Sequence, residues 1–150
     1  MNKSELNRIT QELLRRSGSS VTVQLDGYFP GGRLVGGKYA IGDHSVTMYT
    51  EVIRQQCLQL FGSLEQVYAY YAVVFAHELG HSMDGQLSEL CDLLDSSVDE
   101  WEDMRILRQI EENAWNLAMP WISDVDPSLV KVIVDQSLEA YREEPATVSA

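Results

Sequence analysis

The chain has 150 residues, 45% of them apolar, and a formal net charge of −12. That length suits one domain, residues 1–150, with enough apolar material for its own core. The negative charge repels phosphate backbones, which excludes nucleic acid as an expected partner, and no apolar run approaches the roughly 20 residues needed to cross a bilayer. Two isolated cysteines, Cys57 and Cys91, make no disulfide framework. The charged, amphipathic opening stretch has no apolar signal core. A cytoplasmic protein with no membrane partner is expected.

In chain order, Leu6, Ile9, Leu13 and Leu14 give residues 2–16 one apolar face, a helical pattern that SGSS at 17–20 breaks. Val21, Val23 and Leu25 alternate with Thr22, Gln24 and Asp26, which reads as a half-buried strand. Residues 27–37 hold five glycines and a proline and form a loop or loose hairpin. KYAI (38–41) and SVTMYT (45–50) read as two short strands joined through Gly42 and Asp43. A helix follows from Thr50 to Phe61, with Gly62 ending it.

Ser63 and Gln66 have capping-box spacing for a helix from about Leu64 to Met83. Its stretch YAYYAVVFA (68–76) is apolar nearly all round, the mark of a buried central helix. A short helix is expected over 87–94 and a longer one over 99–118, ending before Pro120. Asp126, Pro127 and Ser128 open a last helix, over 128–141.

Residues 77–81 read His-Glu-Leu-Gly-His. On a helix, residues four apart sit one turn above each other, so His77 and His81 can chelate one ion. Glu78 projects beside that ion, where it can take a proton from a water whose pKa zinc lowers toward neutrality. Only three histidines are present and the motif uses two. The alternative is an exposed helix end, which has no need of a buried helix leading into it.

A catalytic zinc site takes three protein ligands and leaves one position open. Asp84 and Leu87 stand where a histidine-rich extension of the motif would carry Gly and His, so the third ligand is sought among later carboxylates. On the helix at 99–118, Met104, Leu107, Glu111, Ala114 and Ala118 share a stripe whose one polar member is Glu111. Glu112 aligns instead with Arg105, Arg108 and Asn116. A carboxylate on a core-facing stripe needs a partner, and a metal ion is one; otherwise Glu111 is a helix-edge residue that snorkels.

HELGH (77–81) with EENAWNLA (111–118) resembles the gluzincin pattern, H-E-x-x-H followed by E-x-x-A. Over about residues 38–120 the chain is similar to the ImmA/IrrE-type metallo-endopeptidases and the minigluzincins. The resemblance implies an α+β zincin-like fold, in which a small mixed or antiparallel three-stranded sheet packs on the central HExxH helix and a glutamate-bearing helix. It implies Glu111 as third ligand, and a strand at 45–50 that lines the cleft and pairs with an extended substrate. Trp115 departs from the pattern, standing where these families often carry Asn or Asp.

His44 can serve substrate binding or an oxyanion, or be a surface turn residue. Asp84 can orient a ligand imidazole, or end its helix in solvent. The tryptophans are expected to pack helices, the acidic run 89–103 to be a solvated face, and the tail from Glu143 to fray. The expected function is a zinc metallo-endopeptidase acting on polypeptide through one catalytic Zn2+, with Glu78 as general base and His77, His81 and Glu111 as ligands. The alternative is a binding or regulatory protein on the same scaffold with vestigial catalysis.

Overall fold

Asn2 opens the first helix by accepting hydrogen bonds from the Ser4 and Glu5 backbone N–H groups; α1 runs over Lys3–Ser17 and buries Leu6, Ile9 and Leu13. The computed structural model describes residues 1–141. Beyond α1 it contains β1 (Thr22–Asp26), β2 (Gly37–Ala40), β3 (Ser45–Tyr49), α2 (Thr50–Phe61), α3 (Val67–Met83), α4 (Leu87–Ser96), α5 (Glu100–Ala118) and α6 (Pro127–Leu138). The described residues thus form an α+β structure of six α-helices and one small mixed sheet, as the patterning indicates. The last helix is shorter than expected: α6 ends at Leu138 and a 3-10 turn covers Glu139–Tyr141. The expectation for the tail from Glu143 lies outside the described residues.

The sheet order is β1-β3-β2, with β1 parallel and β2 antiparallel to β3. This corrects one expectation. The strand at 45–50 is central, both its edges are paired, and an extended substrate cannot add to it. Its apolar residues explain the placement: Val46 and Met48 are wholly buried, whereas β2 is short and carries exposed Lys38, features suited to an edge. The Tyr49 N–H donates to the Gly36 carbonyl at 2.9 Å. Antiparallel pairs alternate, so this bond turns the N–H and C=O of Gly37 and Tyr39 away from β3, toward the open side of β2.

The expected capping box also needs correction. The Ser63 hydroxyl accepts from the Glu65 N–H, a local turn, and α3 begins three residues later than expected with Gln66 as its cap residue. Gly62, at φ 74°, closes α2 in the left-handed region. From Val67 the helix is the centre of the molecule. Tyr71, Val73, Phe75, Ala76 and Leu79 are wholly buried, against α1, α2, α5 and the sheet.

Helices α3 and α5 cross at Gly80. A Cβ there would collide with the Ala114 carbonyl oxygen and lie 2.8 Å from its carbon, so the absent side chain permits the approach. A satellite apolar cluster of Leu87, Ile106 and Ile110 seats α4 against α5. Cys57 and Cys91 are both free thiols. Among the described residues no helix is long and apolar enough to cross a membrane.

Candidate metal centre

The last two turns of α3 place His77, Glu78 and His81 around one point, with donor atoms within 4.8 Å of one another, close enough to hold a metal ion. From α5, Glu111 reaches the same point more directly: its Oε2 lies 2.6 Å from His77 Nε2 and 3.6 Å from His81 Nε2. Glu78 Oε2 instead lies 3.2 Å from His77 Nδ1, on the other nitrogen of that ring. Glu111 Oε2 thus lies near both imidazole Nε2 atoms, while Glu78 Oε2 lies on the Nδ1 side of His77. Ligands at about 2.0–2.2 Å from a tetrahedral ion stand roughly 3.3–3.6 Å apart. The His81–Glu111 separation already matches, and the His77–Glu111 pair must open by about 0.7 Å. Among the described residues His81 Nδ1, the nitrogen away from Glu111, is buried with no hydrogen-bond partner. The donors fit a small divalent ion.

The stripe that singled out Glu111 is rotated relative to the expectation. Ile106, Ile110, Ala114, Trp115 and Ala118 are the buried residues of α5, and Met104 and Leu107 are half-buried. Glu111 stands at the edge of this face, with a side chain 20% exposed, where a group must be to meet both a core helix and a cleft. The carboxylates paired with the histidines are Glu78 and Glu111, not Glu112. Asp84 does not orient a ligand: its carboxylate accepts from the Gln86 N–H and the Asn113 side chain. His44 is a turn residue at φ 50°. It shares hydrogen bonds with Tyr39 Oη at 2.9 Å and Ser20 Oγ at 3.0 Å, and it does not line the cleft.

A protonated His77 pairs with the carboxylates on either side of it. Burial pulls the His77 imidazolium down, but the Glu111 and Glu78 carboxylates outweigh burial and push it up to about 9. Burial works to raise the Glu111 carboxyl, but hydrogen bonding to His77 and His81 holds it well below the usual carboxylate range. The signs follow by linkage. The raised His77 value contributes stability that is complete below its ordinary value near 6.5 and is lost as pH rises through about 9. The depressed Glu111 value contributes stability present above the ordinary carboxylate range and lost on acidification. With chelator present, the urea midpoint is therefore expected to fall between pH 6.5 and 9, and His77→Ala to remove that slope; a flat wild-type profile contradicts the ion pair. Metal uptake at neutral pH should release about one proton, readable by calorimetry in buffers of different ionisation enthalpy.

The centre opens into a cleft of about 430 Å³. Gly37, Lys38, Tyr39 and Ile41 form one wall, and Leu87, Cys91 and Ile110 the other. Gly37 brings the strand onto Glu78: a Cβ there would lie 3.0 Å from Glu78 Cγ and 2.8 Å from Met48 Sδ. Sequence reasoning missed Gly37, Gly80 and the indole of Trp115, which stacks on His77 at 4.3 Å. Only Gly80 left a trace. A glycine inside an apolar helix costs about 1 kcal/mol against alanine and asks for a packing reason. Comparison with known proteins finds no matching family model, curated protein or solved structure.

Proposed function

We propose that this chain is a zinc-dependent metallo-endopeptidase of gluzincin type on a zincin-like scaffold. The observation that carries the reading is the approach of Glu111 Oε2 to both His77 Nε2 and His81 Nε2 in the lining of an open cleft, with Glu78 Oε2 on the Nδ1 side of His77. Two imidazoles and a carboxylate are a catalytic zinc donor set with one position left open. A zinc ion bound there supplies Lewis acidity, lowering the pKa of water and polarising a carbonyl.

The chain's own residues do the rest. Glu78 is 6% exposed and pinned between Gly37 and His77, so its carboxylate is held in one place to accept a proton from water and return it to the leaving amine. The backbone groups of Gly37 and Tyr39 on the open edge of β2 suit main-chain pairing with an extended polypeptide. The apolar cleft walls give side chains flanking the cut somewhere to bury.

Elemental analysis of the purified protein, with casein and a peptide library as substrates, tests this. One zinc per chain with cleavage is the expected result. Glu111→Ala should lose more affinity than the about 10–100-fold typical of an outer-shell partner. Full zinc occupancy in that variant removes Glu111 from the ligand set. Zinc without any turnover in the wild type overturns the peptidase reading in favour of a binding protein.

A further inference from the structure

A ligating imidazole is ordinarily fixed by its second nitrogen, which donates to a carboxylate, a backbone carbonyl or water. His77 lacks an uncommitted partner of that kind. Its Nε2 faces Glu111, and its Nδ1 faces Glu78, 3.2 Å away, which the proposed chemistry needs for proton exchange. The face of the ring is covered by another aromatic side chain. The Trp115 indole lies 4.3 Å from the imidazole, centroid to centroid, at an interplanar angle of 22°. The indole is itself fixed. Trp115 is 3% exposed, and its Nε1–H donates to Ser137 Oγ at 2.8 Å. The Ser137 hydroxyl donates in turn to the Val134 carbonyl at 3.0 Å, within α6.

We propose that Trp115 is the positioning residue of His77, and that Ser137 holds Trp115 in register, so that α6 sets metal affinity without contributing a ligand. Stacking constrains the imidazole plane while leaving both ring nitrogens free for their partners, which a hydrogen bond to Nδ1 would not do. The inference rests on the metal-site reading above.

The test is zinc affinity by chelator competition, together with Co2+ quenching of tryptophan fluorescence, on the full chain. Trp115→Leu should weaken zinc binding about 10–100-fold, as for an outer-shell partner. Trp115→Phe keeps a ring on the imidazole and should stay near the wild-type value. Ser137→Ala should fall between them. Leu129→Ala, a core change about two turns before Ser137 on α6, should leave affinity unchanged. Co2+ should quench the wild type and lose that quenched component in Trp115→Phe, which retains Trp101 and Trp121.

Wild-type affinity in Trp115→Leu overturns the proposal, as does a loss in Trp115→Phe equal to that in Trp115→Leu. An equal loss in Leu129→Ala also overturns it, since general destabilisation would then explain everything. Should Trp115→Leu not fold, unchanged affinity in Ser137→Ala is sufficient to reject it. A wild type that binds neither Zn2+ nor Co2+ rejects the metal site itself, whereas a wild type that binds normally while all variants match it rejects the positioning role alone.

Discussion

Glu78→Gln is expected to keep its metal and to lose about 10²–10⁴-fold in kcat, the contribution of a positioned general base. The substitution suits the question because it changes little else. Glutamine has the shape of glutamate, and its amide oxygen can still accept from His77 Nδ1 in the 3.2 Å contact that now involves Glu78 Oε2. The side chain is buried and backed by Gly37, so the new amide has little freedom to swing toward the ion. Proton acceptance is lost and geometry is retained. The measurements are zinc per chain and steady-state turnover on the same preparation. Normal cleavage by this variant eliminates Glu78 as base. Loss of zinc along with activity means that Glu78 holds the ion and the assignment of Glu111 must be revisited.

Gly80→Ala has the second large expected effect, and its sign separates two physical accounts. Helix propensity alone favours alanine over glycine by about 1 kcal/mol in a helix interior, so a Gly80 with no packing role predicts a gain in stability. The crossing with α5 predicts the opposite. The new methyl would meet backbone, the Ala114 carbonyl oxygen and carbon, which cannot rotate aside as a side chain can. Forcing a methyl into a packed contact costs about 1–3 kcal/mol, and the helices must separate to relieve it. Glu111 precedes Ala114 by one turn of α5 and His81 follows Gly80 directly, so separation at this crossing pulls Glu111 from the histidines. Lower stability in urea and weaker zinc binding are expected together. A more stable Gly80→Ala protein with unchanged zinc affinity would show that the crossing does not set the ligand spacing.

Much of the architecture was readable without coordinates. The motif helix announced itself by an apolar run too continuous for a surface position, and α2, α4 and α5 lie within two residues of where periodicity placed them. Local signals settle such matters because backbone hydrogen bonding and side-chain spacing act within one or two turns. Glu111 was preferred over Glu112 through a stripe that proved to be turned on the helix, yet the residue still meets both histidines. Ala114 and Ala118 belong to both the expected and the observed faces of α5.

Other features were out of reach for a definite reason. The choice between β2 and β3 as the open edge depends on which strand β1 joins, a pairing between residues more than 20 apart that no local pattern encodes. The place of Gly80 against Ala114, of Gly37 against Glu78, and of Trp115 on His77 are all contacts between separate elements, created only when α3, α5 and the sheet pack. By itself the sequence determined the donor chemistry: two imidazoles one helical turn apart, a carboxylate next to the first, and another glutamate on a later helix. Only the tertiary structure decided that Glu111 comes within reach of both histidines and that a different strand borders the cleft. Spacing along a helix fixes direction within it, while distance between helices is set by the side chains, and the missing side chains, at their crossing.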